Sequence, residues 1–217
     1  MSHSSSTYIV KNKLNKRKNP IFKRSRRLGF SLLENDKEFT QGKKKRRYAP
    51  GQHGQKRGRA SEYKVQLTEK QKVASLYGMN DKQLKRFIVN AIKMEGSTSL
   101  NFLHLLESRL DNLVFCMGFA PTRRAARQLV SHRHILVNGK IINIPSYICK
   151  PGDNISVKLN SKDIKYSGYD VQAANVKPFV NVDIALKSGV YSSYPELTQT
   201  NQGIDIAQVI EYYNKLL

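Results

Sequence analysis

Arg123, Arg124 and Arg127 stand close together and are followed by His132, Arg133 and His134. A guanidinium is a planar fork of donors that matches phosphate oxygens two at a time, and an A-form RNA backbone offers phosphates in rows. The surrounding residues decide whether these side chains can work together. Thr122, after Pro121, is a hydroxyl placed to cap a helix. In that helix Ala125, Ala126, Leu129 and Val130 fall on one side. Arg123, Arg124, Arg127, Ser131 and His134 fall towards the other, at spacings near i, i+3, i+4 and i+7. The period then changes: Ile135-Leu136-Val137 is a short β-branched run, and Asn138-Gly139 predicts a type I′ hairpin. A basic helix running into a tight hairpin suits phosphate binding, although a solvated basic face over an ordinary core has the same pattern.

Charge tips the balance. The 217 residues carry 38 Lys and Arg against 16 Asp and Glu, a net charge of +22. Charge of that size opposes compaction unless a polyanion neutralises it, so nucleic acid is the expected partner. Residues 1–60 hold 18 basic and 3 acidic side chains, whereas residues 161–217 hold 5 and 6. The first segment is too charged and too poor in apolar residues to fold alone, so it should order on a polyanion. The last segment should face protein or solvent.

Other chemistry is weaker. His132 and His134 with Cys116 and Cys149 are the residue types of a zinc site, but the spacings fit no common pattern and there is no Cys-x-x-Cys. The cysteines read as reduced and buried, as in an intracellular protein, and no metal or other cofactor is expected. His53 lies in a glycine-rich loop with no recognisable nucleophile or carboxylate partner, so a phosphate or base contact is expected there rather than acid–base catalysis. Arg109-Leu110-Asp111 has the triplet that carries the catalytic aspartate of pseudouridine synthases, yet it sits in an apolar-striped helix, and Asp111 reads as structural. No apolar run approaches the ~18 residues of a membrane span. The start, Met1-Ser-His-Ser-Ser-Ser, lacks the apolar core of a secretory signal.

The elements that position these residues can be outlined. Residues 1–47 read as a basic extended arm, ending at Arg46-Arg47, before the loop Tyr48-Ala-Pro-Gly-Gln-His-Gly-Gln-Lys-Arg-Gly-Arg59. That loop lacks the strand context and Gly-Lys-Ser/Thr ending of a nucleotide P-loop. Thr68 to Gln71 has capping-box spacing, predicting a helix over 69–77 closed by Gly78. A second helix starts near Asn80 or Asp81 and stops at Gly96, with Leu84, Phe87, Ile88, Ala91 and Ile92 on one stripe. A third carries Phe102, Leu103, Leu106, Leu110, Leu113, Val114 and Met117 up to Gly118. After a Pro151-Gly152-Asp153 turn, Ile155, Val157 and Leu159 alternate as a half-buried strand. Residues 160–203 have no clear pattern, and Ile206, Val209, Ile210, Tyr213 and Leu217 predict a final helix capped by Asp205. The class is α+β.

At this point the residues amount to a resemblance. Residues 105–159 carry Leu-Leu-Glu-Ser-Arg-Leu-Asp-Asn, Arg-Gln-Leu-Val-Ser-His-Arg-His-Ile-Leu-Val-Asn-Gly, Asn-Ile-Pro-Ser-Tyr and Lys-Pro-Gly-Asp. They resemble the S4 RNA-binding domain, which RNA-modifying enzymes, a tyrosyl-tRNA synthetase and a ribosome-rescue factor also carry. The flanking Ala49-Pro-Gly-Gln-His-Gly54, Ser61-Glu-Tyr, Gln66-Leu-Thr-Glu-Lys-Gln-Lys-Val73 and Tyr77-Gly78 resemble the ribosomal protein S4 family of the bacterial and organellar type. Ser25-Arg-Arg-Leu-Gly29 and Val209-Ile-Glu-Tyr-Tyr-Asn-Lys215 fit the same family.

The resemblance implies a non-enzymatic primary binder of a 5′-domain junction in 16S-type ribosomal RNA that nucleates small-subunit assembly. It implies an inserted S4 domain at 105–167 with helices and a small antiparallel sheet. A helical domain at 48–104 would be completed by 204–217, with 168–203 as an irregular or strand connection. Arg123, Arg124, Arg127, Gln128, His132, Arg133, His134, Asn138 and Lys140 would face RNA. So would Lys23, Arg24, Arg26, Arg27, Arg46, Arg47, Gln52 and His53. Lys56, Arg57 and Arg59 would line the region where mRNA enters, beside ribosomal protein S5, at a border affecting decoding accuracy. Other small-subunit proteins, but neither a membrane nor a second copy of the chain, are the implied partners. The implied location is the small ribosomal subunit of the bacterial cytoplasm, ahead of an organellar one.

Three departures stand out. No cysteine occurs before Cys116, so the chain resembles the zinc-free form of the family; its N-terminal extension has no assigned role; and Tyr191-Ser-Ser-Tyr and Leu197 stand where the family usually has basic residues near Pro195. The main rival, an RNA-modifying enzyme, requires a catalytic Asp111 and a separate catalytic fold. A stress factor binding stalled subunits leaves the flanking motifs unexplained.

Overall fold

The computed structural model describes residues 20–34, 39, 48–55, 59–158, 176–183, 186–196 and 203–216. Two compact units divide the chain at Arg59/Ala60. In the first, helix α1 (Ile21–Leu28) begins after Pro20 and ends at Gly29 in the left-handed region, φ 62°. Residues 21–28 are therefore helical where an extended arm was expected. Proline opens the helix without wasting a donor, and glycine closes it without a Cβ penalty. Lys23, Arg24 and Arg27 are exposed, Arg26 is half-buried, and Ser25, Leu28 and Leu32 are buried. In the loop that follows, the Gly54 amide donates to the Gly51 carbonyl at 3.2 Å. A Cβ on Gly54 would overlap the Ala49 carbonyl, so this turn requires glycine.

The second unit opens with α2 (Glu62–Leu76), seven residues earlier than Thr68–Gln71 suggested; Ser61 is its cap, accepting from the Lys64 amide at 3.4 Å. Thr68 is mid-helix, its hydroxyl donating to the Lys64 carbonyl at 2.7 Å. The early turns escape hydropathy analysis because their buried face is polar: Gln66 and Glu69 are both buried. Helix α3 (Asp81–Lys93) starts as predicted, in a reciprocal capping box between Asn80 and Gln83. Asn101 then caps its far end, its amide donating to the Ala91, Met94 and Glu95 carbonyls.

The predicted third helix is two, α4 (Thr98–Glu107) and α5 (Leu110–Cys116), broken at an extended Arg109. Leu110 and Asp111 donate their amides to the Tyr147 and Pro145 carbonyls at 2.8 and 3.1 Å rather than to a helical turn. The apolar stripe runs across the break at helical spacing, which concealed it. Arg109 and Asp111, both buried, form a two-pronged ion pair at 3.0 and 2.7 Å. Asp111 is thus held as a structural carboxylate.

Helix α6 (Arg123–Ser131) leads to strands β1 (Ile135–Val137) and β2 (Lys140–Ile141). Asn138 and Gly139 have φ 50° and 77°, the two left-handed residues a type I′ turn needs. Strand β3 (Asn154–Val157) pairs with β1, and β4 (Val180–Asp183) and β5 (Ser188–Tyr191) extend the sheet in the order β2-β1-β3-β5-β4, antiparallel throughout. Leu159 and Leu217 lie outside the described residues. The stretch near Pro195 packs on α4: Tyr194 stacks on His104 with centroids 4.7 Å apart, and the Tyr191 and Ser108 hydroxyls meet at 2.9 Å. Burial pushes the Tyr191 phenol up to about 12. Helix α7 (Ile206–Asn214), capped by Asp205 as predicted, returns to α2 and α3. Tyr213 donates to Asp81 at 2.9 Å, and Lys215 pairs with Glu62 at 2.7 Å.

Candidate nucleic-acid interface

The underside of α6 is the predicted one: Ala125, Ala126, Leu129 and Val130 are buried with Leu113, Val114, Ile135, Val137 and Ile155 in one core. Thr122 caps it, accepting from the Ala125 amide at 3.2 Å. With that side fixed by packing, Arg124, Gln128 and Ser131 are exposed and Arg127 is half-buried. Arg127 donates one fork nitrogen to the Gly78 carbonyl at 3.0 Å.

Arg123 departs from the expected RNA-facing row. Its Nε donates to Asn112 Oδ1 at 2.8 Å, and its guanidinium lies 4.5 Å from the Phe115 ring centroid and 5.3 Å from that of Tyr77. Asn112 in turn donates to the Glu107 carboxylate at 2.6 Å and to its carbonyl at 3.0 Å; Tyr77 donates to the same carboxylate at 2.5 Å. A buried carboxylate needs such partners. Because the Asn112 NH2 is turned to Glu107, its oxygen is left to receive Arg123. This chain anchors the first turn of α6 to α4 and α5, so Arg123 positions the helix instead of reaching outward. Glu107 and Asn112, hidden among leucines in the sequence, carried no signal of this role.

At its other end α6 closes through two bonds, Arg133 amide to Val130 carbonyl at 3.0 Å and His134 amide to Leu129 carbonyl at 3.1 Å. Arg133 therefore occupies the left-handed position, φ 63°, where glycine is usual. Its side chain and that of His132 are exposed, and His134 is half-buried. Asn138 is committed within the protein: its amide group donates to Asp153 at 2.8 Å and accepts from the Asn154 amide at 2.9 Å. It bolts the hairpin to the Pro151-Gly152 turn. Lys140 is exposed beyond it. Register adds Lys158, which the sequence did not single out. Ile135 pairs with Val157, and the Lys158 amide donates to the His134 carbonyl at 2.9 Å, setting an exposed lysine beside the basic row.

Gln52, His53 and Arg59 are exposed. Arg46, Arg47, Lys56 and Arg57 lie outside the described residues. Cys116 and Cys149 are free and buried, and burial, with the charge of Asp153, pushes the Cys149 thiol up to about 12. A thiol held protonated in this way is a poor metal ligand. Among the described residues no helix is long and apolar enough to cross a membrane.

Comparison with known proteins gives the family. Residues 16–107 match the family described as the ribosomal protein S4/S9 N-terminal domain, and residues 108–155 match the S4 domain. The small ribosomal subunit protein uS4 of Malacoplasma penetrans is 51% identical over 197 residues, covering 91% of this chain and 96% of its own length. Those of Mycoplasma mobile and Mesoplasma florum are 47% and 50% identical, each covering 90% of this chain and 97% and 96% of their own lengths.

Proposed function

The chain belongs to the small ribosomal subunit protein uS4 family, and from that membership we propose that it is a primary rRNA binder that nucleates small-subunit assembly on a 5′-domain junction. As a member it is a structural constituent of the small ribosomal subunit and not an enzyme. Its relatives are proteins of mycoplasmas, which assigns it to the cytoplasmic ribosome of a bacterium. The observation that carries the finer reading is the outer face of α6 with its continuation. Arg124, Arg127 and Gln128 on a core-locked helix are followed by His132, Arg133 and His134 at its end, with Lys140 on β2 and Lys158 just beyond β3. Phosphates supply most of the affinity of such a surface, and the fixed angle between helix and hairpin selects a junction by shape. Arg123 fixes the helix itself, pinning its first turn to α5.

Lys23, Arg24, Arg26 and Arg27, with Gln52 and His53, form a second set of contacts in the N-terminal unit. Lys56, Arg57 and Arg59 border the path by which mRNA enters, next to ribosomal protein S5, and influence decoding accuracy. Equilibrium binding of the full chain to the isolated 5′ domain, against tRNA and duplex DNA at two salt concentrations, tests the core of this. Junction-selective binding that survives the higher salt is expected. Equal, salt-sensitive binding to all three would overturn it. For the second site, Lys56, Arg57 and Arg59 changed together to Gln should leave subunit assembly intact and slow translation of structured messages. Equal loss of assembly would make that loop a scaffold contact instead.

A further inference from the structure

The segment after β2 presents an apolar surface that phosphate binding leaves unused. Ile141, Ile144, Tyr147 and Ile148 are 48, 56, 38 and 38% exposed. Their backbone is tightly held. The Tyr147 amide donates to the Ile144 carbonyl at 3.1 Å, closing a β-turn with Pro145 at the position proline favours. The Pro145 and Tyr147 carbonyls take the first two amides of α5, and the Cys149 amide donates to the Ser108 carbonyl at 2.8 Å. Ile148 bridges to Arg109. The turn is thus bolted to the α4–α5 junction, and Ile144 and Tyr147, its first and last residues, lie with Cα atoms within about 7 Å of each other.

Its electrostatic setting narrows the partner. Residues 112–152 contain no Asp or Glu and include Arg123, Arg124, Arg127, Arg133, Lys140 and Lys150. The preceding carboxylate, Asp111, is buried against Arg109, and the following one, Asp153, accepts from Asn138 and the Lys150 amide. Exposed Lys140 and Lys150 flank the turn in sequence. An exposed aromatic in a turn with exposed isoleucines, flanked in sequence by lysines within an acid-free stretch, matches an unpaired nucleotide: a base can stack on the ring while its phosphates meet ammonium groups. We infer that the Ile144–Tyr147 turn seats an unstacked base of the rRNA, giving the basic surface a contact that requires an unpaired base. This rests on the rRNA-binding function proposed above.

The test titrates full-length wild-type, Tyr147→Ala, Tyr147→Phe and Ile144→Asn proteins against the isolated 5′-domain RNA over a range of salt, with base reactivity mapped by chemical probing. Tyr147→Ala should weaken binding about 10-fold with an unchanged salt slope, because stacking releases no counterions. Tyr147→Phe should bind like wild type, Ile144→Asn should fall between, and one unpaired base protected by wild type should regain reactivity with Tyr147→Ala. If wild type binds selectively and Tyr147→Ala binds equally well with the same protections, the stacking seat is wrong while the rRNA-binding function stands. The seat is also wrong if Tyr147→Ala keeps full RNA affinity but the complex no longer recruits a later small-subunit protein, since the surface is then a protein interface. If wild type itself shows no preference for the junction, the underlying function fails first.

Discussion

Around α2 and α7, lysines meet the chain's own carboxylates: Lys70 reaches Asp81 at 2.8 Å, Lys72 reaches Glu69 at 2.6 Å, and Lys215 reaches Glu62 at 2.7 Å. From residue 112 to residue 152 the same positive side chains have no Asp or Glu in their own stretch. There, Arg123 and Arg127 donate to neutral oxygens, those of Asn112 and Gly78, and Arg124, Arg133 and Lys140 are exposed. Neutral acceptors orient a guanidinium without cancelling its charge. Composition alone shows an excess of +22, but it is the distribution of carboxylates that separates charge used to close the fold from charge left for an outside polyanion. The two regions should therefore answer differently to the same kind of mutation.

The largest effect is expected at the boundary between them. Asp111 is the last carboxylate before the acid-free stretch and is buried against Arg109. Asp111→Asn leaves a buried guanidinium without its counter-charge, and urea unfolding should show a loss of about 3–5 kcal/mol. A loss near zero would mean that residue 111 belongs with the exposed charges. Next in size, Arg124, Arg127 and Arg133 changed together to Gln should lower affinity for the 5′-domain RNA by on the order of 100-fold and flatten the salt slope by about 3, with little change in melting temperature. Lys70, Lys72 and Lys215 changed together to Gln should do the reverse, lowering the melting temperature and leaving the slope alone. Matching slopes for the two triple variants would erase the distinction.

Arg123 sharpens the comparison from inside the basic helix. Arg123→Ala removes a hydrogen bond and two ring contacts, so stability should drop by about 1–2 kcal/mol while the RNA salt slope stays that of wild type. Arg124→Ala, one residue on, should lower the slope by about 1 and leave unfolding unchanged. A slope change for Arg123→Ala equal to that for Arg124→Ala would return Arg123 to the phosphate-facing row.

What the sequence revealed follows from which forces have a local signature. Helix α6, the Asn138-Gly139 hairpin and the Asn80 cap were legible because apolar periodicity, left-handed turn residues and capping side chains act within a few positions. The break at Arg109 was not, because its cause is a contact with residues 145–148 while the leucine stripe continues across it. The start of α2 was hidden because its buried face is glutamine and glutamate, satisfied by α7 from the far end of the chain. Within the candidate interface, residue types identified the row, but only the fold separates Arg124 from Arg123, or joins Lys158 to His134. In each case the missing information is a long-range partner. Tyr147 went unread for a related reason: an exposed aromatic in a short turn has the same sequence signature as a buried one.

The smallest expected effect is a pH dependence in the region where charges are closed internally. The hydrogen bond from Lys70 holds the Asp81 carboxyl below its ordinary 3.8; partial burial opposes this, and the Tyr213 hydroxyl adds to the lowering. On the other side of the pair, burial works most strongly against the Lys70 charge, but the bond and charge of Asp81, joined by Tyr212, together outweigh it and leave that amine raised. A carboxyl depressed in the folded state contributes stability above its unfolded pKa and loses it as pH falls through the folded value. Wild type should therefore exceed Asp81→Asn by a constant margin from neutrality down to about pH 4, and the margin should close below that. Asp81 is 68% exposed, so solvent screening limits the margin to a few tenths of a kcal/mol. Unfolding free energies of the two proteins at pH 7, 4 and 2.5 measure it. A margin that widened on acidification would show that the α2–α3–α7 contact is held by something other than this pair, and the contrast with the acid-free face would then rest on Glu69 and Glu62.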